Sequence, residues 1–223
     1  MTKSDQPLSV KLYATLRRSI ILGEYPQGSP LYEQHLAEQL NVSRVPIREA
    51  MPLLANDGFI ETSPHRSAVV TTWTRQSISD VFDARLGLEV VAAGAAARRV
   101  RAGGTLDELE AAVAEAQRQL QTLKPTDALR QAELNGAIHV ALVAAAHNAL
   151  ITSLMRAVAG RIVWLFYLTS GRDLMVQGQE HEMILEAVRS GNDRLAEALT
   201  IAHIEEGRAP TLTALTSTSA WQH

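Results

Sequence analysis

Three histidines lie in helical segments of the second half of the chain: His139, His181 and His203. Asn135 stands four residues before His139, so the two share one helix face. Imidazole is a common ligand of zinc and nickel, so such a group could hold a divalent ion. Nothing local brings the three segments together, and the same residues read equally as surface or core histidines. Arg44 and Arg48 are also four apart and project from one face. Guanidinium forks at a helix N-terminus suit guanine edges or phosphates, because the fork is bidentate and the helix end favours anions. Spacing alone leaves them readable as ordinary surface arginines. Arg85 has Glu89 at i+4, which offers either an ion pair or a cation beside a bound carboxylate.

The elements that must position these residues follow from the hydrophobic pattern. Val10, Tyr13, Leu16, Ile20 and Ile21 recur at helical spacing over 8–22. Gly23, Pro26, Gly28 and Pro30 then force a loop. A second short helix is expected over 31–40, with Leu31, Leu36, Ala37 and Leu40 inward. Asn41-Val42 makes a tight turn. Ser43 is a suitable N-cap for a third helix starting at Arg44, with Pro46 in its first turn. Val45 and Ile47 are expected to pack back on the second helix, and Pro52 to kink the third helix or end its regular part. The β-rich runs Phe59–Ser63 and Ala68–Thr72 flank a polar turn, so a hairpin is expected. His65 and Arg66 at its tip can reach a flanking groove or the backbone of a bound duplex.

After Arg75 the character changes to long alanine-rich amphipathic stretches. Helices are expected at roughly 77–101, 105–123, 126–147, 149–169, 174–190 and 192–208. Short connections imply an antiparallel bundle. Trp164, Phe166 and Tyr167 are placed in its core or against a pocket. The fold class is mainly α: an N-terminal winged helix-turn-helix over 8–75 and a C-terminal antiparallel six- or seven-helix bundle over 77–208. The Thr/Ser-rich segment 209–223 is expected to be a frayed tail.

Composition narrows the classes. The chain has 223 residues and no cysteine, which excludes disulfides and thiolate metal sites. No signal core precedes residue 10, and the longest apolar stretch, around 157–169, contains Arg161 and looks too short to span a membrane. The expectation is a cytoplasmic protein with no membrane partner. Residues 1–75 carry 8 Lys/Arg against 7 Asp/Glu, so any basic patch must be local.

The run Leu31-Tyr32-Glu33-Gln34-His35-Leu36-Ala37-Glu38-Gln39-Leu40-Asn41-Val42-Ser43-Arg44-Val45-Pro46-Ile47-Arg48-Glu49-Ala50 resembles the signature of GntR-family regulators. Ile20–Gly23, Pro26-x-Gly28 and Asp57–Ile60 fit the same pattern. The resemblance implies that Arg44 and Arg48 contact DNA, with Ser43 on the phosphate backbone and Gln34 near it. The wing of that family carries a glycine where this chain has Ser67, a residue that meets a steric cost at positive φ. The pattern Arg85…Glu89, Asn135–His139, His147-Asn148, Glu180–Ile184 and Gly191–Asp193…His203 is similar to the FCD effector domain of the FadR-type branch. That resemblance implies a divalent metal at Asn135, His139, His181 and His203, zinc first and nickel second. It also implies a small organic acid as effector, bound by Arg85. Aspartate usually stands where this chain has Asn135, and phenylalanine often where it has Ile138.

These implications amount to a ligand-responsive regulator, not an enzyme. It would act as a homodimer on a palindromic double-stranded operator, more often repressing than activating. Two other readings compete. A metal-dependent hydrolase would need a general base beside the metal, and Glu180 and Glu182 are i±1 neighbours that point away from His181. A DNA-binding dimer with a vestigial pocket is the other.

Overall fold

Leu12, Leu16, Ile20 and Ile21 form the buried stripe of α1 (Leu8–Ile21). They meet the face of α3 (Arg44–Asn56) that buries Ile47, Ala50, Met51 and Leu54, and α3 in turn packs on the short α2 (Glu33–Gln39), which buries Leu36 and Ala37. Phe59 and Val70 close this core, both fully buried. Three short strands complete it: β1 (Pro30–Leu31), β2 (Ile60–Glu61) and β3 (Ala68–Val70), in the order β1-β3-β2, all antiparallel. Pro30 pairs with Val69, and Ile60 with Val70. The computed structural model describes residues 6–63, 66–120, 122–169 and 174–216. Its chain divides into the units Met1–Trp73 and Thr74–His223.

Several local expectations change. Leu31 belongs to a strand rather than to the second helix, because Pro30-Leu31 pairs with the hairpin and makes the sheet three-stranded. Ser43 occupies the N-cap position of α3 with extended backbone, but its side chain makes no capping hydrogen bond. Helix α3 does not end at Pro52; it runs on to Asn56. Pro52 faces solvent, so water can take the carbonyl it leaves unpaired. Among the described residues the non-glycine positions with positive φ are Asn41 and His147, both at 52°, so Ser67 needs no left-handed backbone. Asn41 turns the chain between α2 and α3, a conformation asparagine tolerates well.

The second unit opens on a reciprocal cap. Thr74 Oγ1 accepts from the Ser77 amide at 3.0 Å, and Ser77 Oγ accepts from the Thr74 amide at 2.8 Å. From there α4 (Arg75–Arg85) continues through a π-helical turn, Leu86–Val90, into α5 (Val91–Arg101). Then come α6 (Asp107–Leu120), a 3₁₀ turn at Pro125–Asp127, α7 (Ala128–Ala145), α8 (Ala149–Leu168), α9 (Leu174–Arg189) and α10 (Asp193–Thr216). The core gathers Ala93, Ala96 and Ala97 of α5 with Leu109, Val113, Leu142, Leu185, Val188 and Ala196. Alanine on α5 lets α7, α9 and α10 approach it closely. At Gly136 an added Cβ would lie 2.7 Å from Val163 Cγ2, so that glycine sets the approach of α7 and α8.

Two corrections follow. The frayed tail expected over 209–223 is helical to Thr216, because α10 continues through Pro210 and buries Thr211; residues 217–223 lie outside the described residues. The apolar stretch expected to be too short begins earlier. Helix α8 has 20 residues with a mean hydropathy of 1.5, long and apolar enough by length and composition to cross a membrane. It also carries Arg156 and Arg161, buries Met155, Ile162, Val163, Trp164 and Leu165, and packs mainly on α7.

Candidate metal centre and nucleic-acid interface

Helix α3 turns Ile47, Ala50, Met51 and Leu54 inward, which leaves Arg44 and Arg48 on its outer face, 57% and 64% exposed. Val45 lies two residues from Ile47, about 200° around the helix, so it too faces out and is 61% exposed. It does not pack on α2 as expected. Glu33, at the start of α2, holds both arginines. Its Oε2 accepts from Arg48 Nε at 3.2 Å and lies 3.8 Å from Arg44 Nη2. Neither Nη group of Arg48 has a hydrogen-bond partner among the described residues. Gln34 donates to Glu38 Oε1 at 3.1 Å on the same surface. Arg66 is exposed beside the wing, and His65 lies outside the described residues. Glu33 went unsuspected because its sequence distance from Arg48 gives no helical spacing.

The histidines do converge. His139 of α7, His181 of α9 and His203 of α10 are all buried, and one ring nitrogen of each lies within 4.8 Å of the others. The ring centroids are 5.3 Å apart for His139–His181, 5.2 Å for His139–His203 and 4.6 Å for His181–His203. Two of the rings are tethered by carboxylates. Glu89, at the π turn, accepts from His139 Nδ1 at 2.8 Å. Glu180 accepts from His203 Nδ1 at 2.6 Å. Each bond places the proton on Nδ1 and leaves the lone pair on Nε2, which in His139 lies 3.2 Å from Arg85 Nη2. Burial, and then the neighbouring His203 and His139, holds the His181 imidazole well below its usual range, so it is neutral near pH 7.

Arg85 sits in this cluster, not at its edge. Its Nε donates to Glu89 Oε1 at 2.8 Å, and its Nη2 lies 3.1 and 3.2 Å from the two nitrogens of His139. Burial alone would raise the Glu89 carboxyl; Arg85 and His139 more than offset it and hold it well below the usual carboxylate range. The ion pair that the i,i+4 spacing allowed is therefore formed. Arg85 Nη1 has no hydrogen-bond partner among the described residues, and the residue lines a cleft, so one end of the fork remains available.

Asn135 lies beside the histidines. Its Nδ2 donates to Gln177 Oε1 at 3.2 Å, while its Oδ1 is buried with no partner. His181 Nε2 is likewise buried and unpartnered. A buried acceptor without a donor costs roughly 1–3 kcal/mol. Two such atoms next to imidazoles poised through Nε2 are the donor set a divalent cation satisfies, so the residues present fit a metal. Carboxylates behind ligating histidines are the usual outer shell of such sites.

Two clefts adjoin the cluster. One, of about 40 Å³, is lined by Phe82, Arg85, Phe166, Thr169, His203 and Thr211 among others. The other, of about 30 Å³, is lined by Val113, Ala116, Gln117, Leu134, Ile138 and His181 among others. Gln131, Asn135 and Gln177 line both. Trp164 is core and Phe166 is pocket wall, which divides the aromatic group left together by the sequence. Glu180, weighed in the sequence only as a general base beside a metal, has a different place: it bonds His203. It does point away from His181, its neighbour in sequence, but toward His203 on α10.

Residues 80–206 match the FCD domain and residues 8–70 the bacterial regulatory proteins of the gntR family. An uncharacterized HTH-type transcriptional regulator of Bacillus subtilis, YdhC, is 28% identical over 203 residues, covering 88% of each chain. The gluconate operon transcriptional repressor of Bacillus licheniformis is 39% identical over 80 residues, 36% of this chain and 32% of that one. A solved GntR transcriptional regulator from Rhodococcus sp. RHA1 has the same fold, with a TM-score of 0.75 at 22% identity over 94% of this chain and 98% of that one. With a winged helix-turn-helix, a helical bundle around three histidines and family matches across both units, the chain belongs to the GntR family of transcriptional regulators and carries an FCD effector domain.

Proposed function

We propose that the protein is a metal-dependent repressor that releases its operator in response to a small organic acid. The observation that carries this reading is the convergence of His139, His181 and His203, two of them oriented by buried carboxylates, beside the orphaned Asn135 Oδ1. Asn135, His139, His181 and His203 would hold the ion, with zinc the first candidate and nickel the second. The ion would supply a Lewis-acidic centre for an anionic ligand. Arg85, whose Nη1 remains available, would take the carboxylate of that ligand. Glu89 keeps the guanidinium in place.

On the DNA side, Arg44 and Arg48 would read base edges, Ser43 and Gln34 would meet the phosphate backbone, and Arg66 with His65 would reach the flanking groove. Support comes from the exposed arginine face of α3 and from the family, whose members bind operators, usually as dimers. A homodimer would then place two such helices on a palindromic site, where half-site spacing is geometrically strict. Arg85 and Glu89 lie on the helix that begins directly at Thr74. A ligand that reorganises them acts on the first element after the DNA-binding unit.

The test joins metal content to DNA binding. Protein purified without chelator should contain about one divalent ion per chain. Glu180→Gln should weaken metal affinity about 10–100-fold while leaving the fold intact, because it loosens His203 without removing a donor. Organic acids should change operator affinity 5- to 150-fold in the metal-loaded protein, a coupling of about 1–3 kcal/mol. Failure of zinc and nickel to bind under any loading condition would sink the metal reading.

A further inference from the structure

Ile47, Ala50, Met51 and Leu54 set the inward direction of α3, and at about 3.6 residues per turn the opposite direction falls within about 10° of Val45. Glu49 and Pro52 lie within about 30° of it and Arg48 about 70° away, while Arg44 stands about 110° round, on the flank. Glu33 reaches both arginines from α2 and holds them to that side. The centre of the exposed face is therefore apolar at its first turn, with the cations beside it. Val45 is 61% exposed there, so the fold gains little from it, and a β-branched residue is a weak helix former. What the branch does provide is a stiff side chain. In a helix nearly all valines take one rotamer, so both methyl groups point in a fixed direction.

We propose that Val45 is a specificity-determining residue that reads thymine: its methyl groups pack against the C5-methyl of one thymine in each half-site. This rests on the reading above in which α3 enters the major groove, and adds an apolar contact to it. The N-terminal residues of a recognition helix are the ones that meet base edges, and Val45 is the second residue of α3. In the major groove thymine alone presents a methyl group, while the other bases offer only donors and acceptors. Valine over guanine, adenine or cytosine would strip water from a polar edge without replacing its hydrogen bonds. One side chain thus rewards the methyl and penalises the alternatives. Because its rotamer is already fixed, little conformational entropy is lost when it docks. Arg44 and Arg48, set to one side, are left to take guanine acceptors or phosphates.

The test exchanges thymine for uracil, which removes the C5-methyl and leaves every hydrogen-bonding group in place. The full-length protein first selects its preferred duplexes from a random pool. Each thymine of the enriched duplex is then replaced singly by uracil, and affinity is read by fluorescence anisotropy. At one thymine per half-site the exchange should cost about fourfold, the worth of one buried methyl group, and the other thymines should change little. Val45→Ala should bind the thymine duplex more weakly and become indifferent at that position, to within about 1.5-fold, as a double-mutant cycle on a direct contact requires. Val45→Thr, which keeps a branched methyl, should retain the sensitivity. The side chain is exposed, so both variants should melt close to wild type. If no exchange weakens the wild-type complex, or if Val45→Ala keeps the wild-type methyl dependence, Val45 does not read thymine and the arginine reading stands on its own tests. If the pool yields no enriched sequence, α3 reads no bases, and both readings fall together.

Discussion

The same pairing of arginine with glutamate occurs in both units, under opposite conditions. On the DNA-binding unit, Glu33 is 31% exposed and holds Arg44 and Arg48, which are more than half exposed. In the bundle, Arg85 and Glu89 are 3% and 0% exposed and share His139 between them. Water and salt screen the first arrangement, so it is worth little and exchanges easily for a phosphate. The second is cut off from solvent, and each member is costly without the other. On the function proposed above, the first pair would be a releasable hold where DNA docks, and the second a permanent brace where a small ligand is recognised.

The comparison predicts its largest effect at the buried pair. Glu89→Gln keeps the shape but leaves the Arg85 cation uncompensated, and it removes the acceptor that orients His139. Breaking a buried pair in this way costs about 3–5 kcal/mol. Urea unfolding followed by circular dichroism should show that loss, and Arg85→Met combined with Glu89→Leu should recover much of it. A loss below about 1 kcal/mol for Glu89→Gln would mean that solvent reaches the pair, and the contrast between the units would collapse.

An intermediate effect belongs to the exposed arginines, and it should appear in DNA binding only. Arg44→Ala and Arg48→Ala should each cost about 1–3 kcal/mol of discrimination between operator and unrelated duplex. Their thermal stability should stay near wild type, since surface changes usually fall within about ±0.5 kcal/mol. Fluorescence anisotropy on both duplexes, beside a thermal melt, separates the two quantities. If both variants keep full discrimination, α3 does not read the operator.

How much of this was legible beforehand depended on the range of the signal. Helices α1, α3 and α7–α10 announce themselves through local periodicity, and the arginine face of α3 is a matter of spacing four. Arg85–Glu89 is also local. Strand β1 was not legible, because Pro30-Leu31 is too short to carry a pattern and exists only by pairing with Val69 and Ala68. The continuation of α10 through Pro210 was hidden by a Thr/Ser-rich composition that ordinarily signals a tail. The histidine cluster could be suspected from residue types, but its convergence depends on how α7, α9 and α10 pack. Glu180 and Gln177 have no local signature at all. Each matters through a residue more than 20 positions away, His203 for one and Asn135 for the other.

The smallest effect is the most discriminating test of the exposed arrangement. Glu33 bonds Arg48 through Nε and so leaves both Nη groups of the fork facing outward, the end that meets guanine O6 and N7. On the DNA-reading proposal it would be a positioning residue as well as a competitor for phosphate, and Glu33→Gln separates the two roles. As a pure competitor, its loss would raise operator and nonspecific affinity by the same small factor. As a positioning residue, its loss frees two mobile cations, which raises nonspecific affinity and steepens its salt dependence by up to about one phosphate equivalent. Operator affinity would gain less, because Arg48 must now be ordered on binding. The expected result is a ratio of operator to nonspecific affinity that falls about two- to fivefold, in line with the roughly 0.2–1 kcal/mol of an exposed ion pair. Titrations on both duplexes from about 50 to 200 mM salt measure it directly. An unchanged ratio would leave Glu33 as a competitor alone, and an unchanged salt slope would mean that its hold on the arginines does not survive in solution.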